Sequence, residues 1–313
     1  MDLSKAYSKI ERTLKKTPPL LFILLMLITT YVIYKIYRVI KPVSVKEGFI
    51  DQSEDVVVKK DFESYDNFYV DVYDDLFYED LVNEYEVGSI ENITEPDSES
   101  KVLQIGSRTG KIANSFKKKD INIIGMDESK AMVDKAKKAY PSIEFKVGSP
   151  LKAFTFDAGS FTHILCLDNT FYYYKDQKQF IENVYNWLIP GGYFVLQLAD
   201  KDMFDPQVPA SKPYWLVNPQ SHSEKRITKS KVVFNNFDYT SNFEVFPNDF
   251  VQFREIFKDD NGKMRENEHN MKMPSIKSVI NMAKETGFIV YAEVDLLMCK
   301  REYQYLYIFQ KPV

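Results

Sequence analysis

The stretch VLQIGSRTGKIANSF, residues 102–116, combines an apolar strand, a glycine-containing turn and the start of a helix. Gly106 and Gly110 bracket the turn, and Arg108 lies between them. A glycine turn lets the backbone approach a ligand closely, and the helix that follows offers free N–H groups at its N-terminus. The stretch therefore predicts a nucleotide-binding loop, with a bulky residue at a place where a small one is expected.

Strands and helices alternate along the chain around this loop. Apolar strands are predicted at residues 101–106, 121–127, 143–147, 161–167 and 193–199, and helices at 111–119, 130–140 and 176–188. Ser129 is placed to cap a helix, and Pro190 to Gly192 predict a tight turn. Near-continuous apolar strands separated by helices indicate a doubly wound parallel sheet, whose ligands bind beyond the carboxyl ends of the strands.

Asp127 ends the second predicted strand. It follows the glycine loop by about twenty residues, the spacing at which an acid accepts hydrogen bonds from both hydroxyls of a ribose. This spacing occurs in proteins that bind NAD and in proteins that bind adenosyl cofactors. The loop and the acid together therefore predict a nucleoside site and leave the choice of cofactor open.

Four segments resemble the motifs of class I S-adenosylmethionine-dependent methyltransferases. They are VLQIGSRTG (102–110), IIGMDESKAMVDKAKK (123–138), IEFKVGSPLKAFTFDAGSFTHILCLDNTFYYYKD (143–176) and WLIPGGYFVLQL (187–198). The likeness covers roughly residues 65–312 and places Asp127 at the ribose. An NAD-binding domain is the competing interpretation, but its G-x-G-x-x-G pattern requires glycine at position 108.

The C-terminal part strengthens the resemblance. A helix over residues 275–288 precedes strands at 288–297 and 303–311. Methyltransferases of this class end in this way, with an inserted antiparallel seventh strand, and NAD-binding domains do not. The resemblance therefore implies a doubly wound, mostly parallel seven-stranded sheet. Residues 200–273 alternate with a two-residue period and predict an antiparallel β insertion, which in this class often caps the active site.

The resemblance implies S-adenosyl-L-methionine as the cofactor. The expected cofactor-binding residues are Gly106, Ser107, Gly110, Met126, Asp127, Glu128, Ser149, Pro150 and Leu167. Asp168, at the end of the fourth strand, is the best candidate for a catalytic base. Tyr172, Tyr173 and Tyr174 are interpreted as packing and surface aromatics, with an acceptor-binding cluster as the alternative. In the insertion, His222, Lys225 and Arg226 are interpreted as a solvated loop or as a site for an anionic acceptor.

Three positions depart from the pattern of the class. Gln104 replaces the acid before the loop, Arg108 replaces the middle glycine, and Ser149 replaces the acid that often contacts adenine. Glutamine lacks the negative charge that acts on a cationic sulfonium or amino group. Arg108 blocks the cofactor if its side chain enters the pocket and is harmless if it points to solvent or to a carboxylate. Two functions therefore stay open: an active methyltransferase, or a methyltransferase-fold protein without catalysis that has a structural or binding role at a membrane.

An uncharged apolar run, residues 18–34, follows five basic residues near the N-terminus. Residues 18–36 would span about 28 Å as a helix, close to the thickness of a bilayer's hydrocarbon core. Residues 18–40 are therefore predicted to be a transmembrane helix that anchors the protein in a lipid bilayer as a single-pass protein. A signal peptide is disfavoured because no small-residue cleavage site follows. The anchor suggests a membrane-associated methyl acceptor, otherwise unidentified, and a catalytic domain on the cytosolic side, where the cofactor is made.

The predicted organisation is a basic tail (1–17), the transmembrane helix (18–40), a linker (41–60) and a methyltransferase-like domain (61–313). The acidic, aromatic-rich residues 61–100 predict an amphipathic helix that docks on this domain. A net charge of −4 gives no indication of nucleic-acid binding. The two cysteines and three histidines are scattered, so no metal site is predicted.

Overall fold

The structure is a computed structural model that describes residues 18–40, 49, 52, 54–212, 220 and 223–313. Its helices are α1 (Pro19–Ile40), α2 (Asn67–Phe77), α3 (Asp80–Thr94), α4 (Lys111–Lys117), α5 (Lys130–Ala139), α6 (Gln177–Trp187) and α7 (Ile276–Thr286). Its strands are β1 (Val56–Lys60), β2 (Lys101–Ile105), β3 (Asn122–Asp127), β4 (Glu144–Val147), β5 (Phe161–Cys166), β6 (Leu188–Ala199), β7 (Lys229–Val233), β8 (Phe237–Val245), β9 (Phe250–Asp259), β10 (Met264–Lys272), β11 (Ile289–Asp295) and β12 (Gln304–Gln310).

Seven strands form the predicted doubly wound sheet, in the order β11-β12-β6-β5-β2-β3-β4. Strands β2 to β6 run parallel, and β12 is inserted antiparallel between β6 and β11. The strand order reverses at β2, where β3 and β5 lie on opposite sides of it. The carboxyl ends of β2, β3 and β5 therefore meet at one edge, where this kind of sheet binds its ligands.

Each face of the sheet is covered by helices whose apolar side chains recur at helical spacing. On one face, α6 and α7 bury Phe180, Val184 and Val279 against the sheet. On the other face, α3, α4 and α5 bury residues such as Ile90 and Phe116. The predicted cap of α5 is confirmed, because Ser129 accepts a hydrogen bond from the Met132 N–H.

A second sheet has five strands in the order β1-β10-β9-β8-β7. Strands β7 to β10 are antiparallel and lie within the predicted insertion, residues 200–273. The fifth strand, β1, comes from the segment predicted as a linker and pairs in parallel with β10 from Val56↔Met264 to Lys60↔Glu268. The difference has a physical reason: β10 offers an edge of unpaired backbone groups, and an extended chain satisfies them.

Two local predictions are refined by the structure. The tight turn expected at Pro190 to Gly192 lies inside β6, which begins at Leu188; Gly191 has a φ of +80° there. The single amphipathic helix expected within residues 61–100 is two helices, α2 and α3, separated at Tyr78 and Glu79.

The chain divides into two units, Met1–Ser44 and Val45–Val313, and α1 belongs to the first. Across the described ranges, no helix combines the length and apolar character that crossing a bilayer requires. The transmembrane helix predicted over residues 18–40 is therefore not confirmed.

Candidate functional site

The loop after β2 is fixed to the neighbouring strand by its own backbone. The N–H groups of Gly106 and Ser107 both donate to the Met126 carbonyl oxygen, at 2.8 and 3.0 Å. Thr109 donates from its hydroxyl to Asp74 on α2 at 2.6 Å, which ties the loop to the helix that crosses it. All residues from Gly106 to Gly110 are buried. The loop is therefore a packed part of the site.

Only glycine fits at position 106 without strain. Its φ is +73°, and a β-carbon added to it would lie 2.4 Å from Cγ2 of Thr170. We expect Gly106→Ala to lower the free energy of unfolding by about 2–4 kcal/mol, because strain and overlap add. Gly191→Ala is the matched control: its φ is also positive, but the nearest atom would be 3.7 Å away. Equal losses for the two variants in denaturant titrations would contradict a close contact at Gly106.

Asp127 organises the centre of the site. Its carboxylate oxygens accept from two backbone N–H groups, those of Arg108 at 3.0 Å and Ser129 at 2.9 Å. The side chain is 3% exposed. A carboxylate has about four acceptor positions, so two bound amides leave lone pairs for hydroxyl donors. The residue lies at the loop as predicted, and its ribose-binding role stays a prediction.

Arg108 directs its side chain inward. It is 5% exposed and has a φ of +51°. Its guanidinium carbon lies 4.5 Å from the ring centre of Tyr65, 5.6 Å from that of Tyr173 and 5.7 Å from that of Tyr73. Nη2 donates to Thr170 Oγ1 over a long 3.4 Å, and no carboxylate of the described residues forms an ion pair with it. Of the two harmless orientations, solvent or a carboxylate, the structure shows neither.

The other predicted cofactor-binding residues differ in how their side chains are placed. Glu128 and Ser149 are half-buried neighbours, and burial raises the pKa of Glu128 while a hydrogen bond from Ser149 opposes the rise. Pro150 is buried and accepts from Asn183 Nδ2 at 2.7 Å. The side chains of Met126 and Leu167 point into the two hydrophobic cores. Only the backbone of these last two residues reaches the edge of the sheet.

Asp168 and Asn169 follow β5 and border a cavity of about 130 Å³. Both have positive φ values, +52° and +56°, and the Asp168 N–H donates to Gln197 Oε1 at 2.6 Å. The surrounding protein raises the pKa of Asp168, and Arg108 and Arg301 oppose that rise. Because the side chain keeps contact with solvent in the cavity, we expect water to limit the rise.

Of the three consecutive tyrosines, one belongs to the site. Tyr172 receives the Ala199 N–H on its hydroxyl at 2.8 Å, and Tyr174 packs in the core. Tyr173 lines the cavity that Asp168 borders, and its hydroxyl accepts a hydrogen bond from the Tyr65 hydroxyl at 2.9 Å. In the insertion, Arg226 donates to the carbonyl oxygens of Phe204 and Lys201, Lys225 is exposed, and His222 lies outside the described residues.

Glu86 is a site residue that the sequence-based interpretation missed. It lies on α3, is 1% exposed and borders the same cavity as Asp168. Burial raises its pKa to about 8, Asp168 adds to the rise, and Arg301 opposes it. A signal was present: Val82, Glu86 and Ile90 are spaced four residues apart, which places the acid on the buried face of the helix.

The raised pKa of Glu86 makes stability depend on pH. An acid whose pKa rises from 4.5 to about 8 on folding holds its proton more tightly in the folded state. Its effect on stability is fully favourable at low pH and is lost as the pH rises to the folded value. Relative to Glu86→Gln, the wild-type chain is expected to lose about 2–3 kcal/mol of unfolding free energy between pH 6 and pH 9. Parallel pH curves for the two proteins would contradict the shift.

The site fits an adenosyl cofactor in part. The residues predicted to bind the sugar and the base, Asp127 and the Glu128–Ser149 pair, lie at the carboxyl ends of β3 and β4. The middle is occupied by the guanidinium of Arg108 and its three tyrosines. Two cavities adjoin Arg108, of about 130 and 50 Å³. Ligand sites usually measure about 300–1,000 Å³. Both cavities beside Arg108 are smaller than that, and neither is lined by Asp127, Glu128 or Ser149.

Comparison with known proteins agrees with the fold. A family model described as "Methyltransferase domain" matches residues 103–196, from within β2 to within β6. No curated protein sequence matches the chain significantly.

Among solved structures, the CcbJ methyltransferase from Streptomyces caelestis superposes with a TM-score of 0.61 at 16% identity, covering 81% of this chain and 100% of that one. An S-adenosylmethionine-dependent methyltransferase from Clostridium acetobutylicum gives 0.60 at 16% identity, covering 79% and 99%. CalS10 from Micromonospora echinaspora, an amino pentose methyltransferase solved with S-adenosylmethionine bound, gives 0.51 at 17%, covering 73% and 91%. Residues 103–196 therefore match a methyltransferase domain, and the chain has the α/β fold of these solved S-adenosylmethionine-dependent methyltransferases.

Proposed function

We propose that the protein is an S-adenosylmethionine-dependent methyltransferase whose cofactor cradle is closed by Arg108 in the described conformation. One observation carries the proposal: the loop after β2 is hydrogen-bonded to the end of β3, and Asp127 lies between them with acceptor positions left over. This arrangement lies inside the segment that matches the methyltransferase domain. It is the edge at which a doubly wound sheet holds a nucleoside.

The residues have separate tasks when the cofactor is bound. The cofactor supplies an activated methyl group on a sulfonium. Asp127 accepts the ribose hydroxyls, and Glu128 and Ser149 contact the base. Asp168 borders the cavity beside them, where it can orient an acceptor or hold its proton. The protein's main contribution is to align the two reactants and to exclude water.

Binding of the cofactor requires the Arg108 side chain to move away from the rings of Tyr65, Tyr73 and Tyr173. A cation over aromatic rings gains about 0.5–2 kcal/mol, so the open form is a minor one. A cost of about 1.4 kcal/mol lowers apparent affinity about tenfold. The wild-type chain is therefore expected to bind the cofactor weakly.

The acceptor is proposed to be a small molecule. The larger cavity lies under the insertion sheet, whose Phe243, Phe253 and Met271 line it, and it measures about 130 Å³. CalS10 and KedS8, described as an amino pentose methyltransferase and a sugar N-methyltransferase, have the same fold. The membrane-associated acceptor expected from residues 18–40 is not part of this proposal, because the transmembrane helix on which it depended is not confirmed.

The position of Arg108 favours a second candidate, a methyltransferase-fold protein without catalysis. Calorimetric titration of the full chain with S-adenosylmethionine and S-adenosylhomocysteine separates the two. Saturable binding that Asp127→Ala abolishes supports the enzyme. No binding at millimolar ligand, by the wild-type chain and by Arg108→Gly alike, supports the non-catalytic protein.

A further inference from the structure

A second cavity, of about 50 Å³, also adjoins Arg108, and no residue of the insertion sheet lines it. Its walls come from α2, α3, the loop after β2, the start of α4, Asp168 and Arg301. It shares Glu86, Arg108 and Asp168 with the larger cavity and adds Asn83, Gln104 and Ser107. It therefore adjoins both the cofactor loop and α3, which lies outside the segment matched to the methyltransferase domain.

Six residues that line this cavity each carry a buried polar atom without a hydrogen-bond partner. The atoms are Asn83 Oδ1, Glu86 Oε1, Gln104 Oε1, Ser107 Oγ, Arg108 Nε and Arg301 Nε. The first five residues are no more than 6% exposed, and Arg301 is half-buried. A buried polar group without a partner costs about 1–3 kcal/mol. So many in one small space indicate a bound group that is part of the functional state.

The chemistry of these atoms specifies that group. Four of the six are oxygens that accept hydrogen bonds, and two are guanidinium nitrogens that donate, so most of the unmet need is for a donor. An ammonium group carries three N–H donors and a positive charge. A cavity of about 50 Å³ has room for a water-sized group, and an ammonium head is of similar size.

Glu86 supplies the matching negative charge once an ammonium group is beside it. An adjacent positive charge favours the ionised carboxylate, against the burial that otherwise keeps the side chain protonated. Among the other charged groups that line the cavity, Arg301 pairs with Glu79 at 2.9 Å and Lys111 with Asp74 at 3.8 Å. The Arg108 guanidinium lies among its tyrosines, and Asp168 faces the solvent-filled larger cavity. The phenols of Tyr73 and Tyr78 are neutral, since burial raises the pKa of each. Glu86 alone combines deep burial with a carboxylate that has no ion pair among the described residues.

We propose that this cavity binds a primary ammonium group, with Glu86 as its charged ligand. If the proposed function holds, the ammonium group is the amino group of S-adenosylmethionine, at the amino-acid end of the cofactor. Glu86 then provides, from α3, the negative charge that Gln104 lacks. Asn83, Gln104 and Ser107 provide the acceptors for the two N–H groups that remain. A free amine that enters through the larger cavity is the other source of the same chemistry.

The test compares two ligands that differ in the amino-acid end. The full chain is titrated calorimetrically with S-adenosylhomocysteine and with 5′-methylthioadenosine, which keeps the nucleoside and lacks the amino group. Glu86→Gln is expected to lower the affinity for S-adenosylhomocysteine at least tenfold. Its affinity for methylthioadenosine is expected to stay within twofold of the wild-type value. Glu84→Gln, an exposed acid on the same helix, is the matched control and is expected to change neither. Thermal unfolding of each variant verifies that it is folded.

A third titration, with methylammonium chloride, separates the sources and the two proposals. If S-adenosylhomocysteine binds and Glu86→Gln leaves its affinity unchanged, the ammonium group in this cavity is not that of the cofactor. If methylammonium binding is then lost in Glu86→Gln, the ammonium site stands with a free amine as its ligand. If no nucleoside binds but methylammonium binds through Glu86, the proposed function fails and the site survives. If Glu86→Gln alters neither ligand, the site itself is overturned.

Discussion

Asp127→Ala is expected to lower the free energy of unfolding by about 2–5 kcal/mol and to abolish binding of S-adenosylmethionine. The side chain accepts from the N–H groups of Arg108 and Ser129, and both amides become buried donors without a partner when it is removed. The first amide belongs to the glycine loop and the second begins α5. One substitution therefore disturbs two elements of the site. Urea unfolding of the full chain measures the loss of stability, and calorimetry measures the loss of the ligand.

Asp134→Ala is the matched control for this substitution. Asp134 lies on α5 in the same region, but it is exposed and its partner Lys130 is an exposed residue one helical turn away. Exposed pairs of this kind contribute about 0.2–1 kcal/mol. A loss of stability in Asp127→Ala no larger than that in Asp134→Ala would contradict the organising role of Asp127.

Arg108→Gly is expected to raise the affinity for S-adenosylmethionine at least tenfold. The substitution empties the middle of the cradle and removes a positive charge from the place of a sulfonium. Its effect on stability is expected to stay within about 1 kcal/mol. Glycine tolerates the φ of +51° without strain, and this gain offsets the lost contacts with Tyr65, Tyr73 and Tyr173.

Arg108→Lys is the companion variant, because it keeps a long cationic side chain at the same position. We expect its affinity for the cofactor to stay within threefold of the wild-type value. Calorimetric titration measures both variants under the same conditions. If Arg108→Gly binds no better than Arg108→Lys, the guanidinium is not the group that closes the cradle.

Most of the sheet could be predicted from the sequence because its signals are local. Apolar strands, helix caps such as Ser129 and a terminal glycine such as Gly287 each lie within a few residues of the boundary that they set. Strand β1 could not be predicted in this way. Its partner, Met264 to Glu268, lies about two hundred residues further along the chain, and the pairing depends on a sheet edge that local patterns do not show.

The same distinction applies to the site. Asp127 was identified by its distance from the glycine loop. The direction of the Arg108 side chain could not be predicted from the sequence. It depends on rings from distant segments: Tyr65 before α2, Tyr73 in α2 and Tyr173 after β5. Glu86 could not be identified in this way, because it is one of many acids between residues 61 and 100. Its spacing from Val82 and Ile90 distinguishes it from them.

A crystal structure of the full chain with saturating S-adenosylhomocysteine tests the role of Arg108 most directly. We expect the ribose hydroxyls on the Asp127 carboxylate and the Arg108 guanidinium displaced from the rings of Tyr65 and Tyr173. A ligand-free cradle at millimolar concentration, with the guanidinium still over Tyr65 as it is now at 4.5 Å, would contradict the proposed methyltransferase.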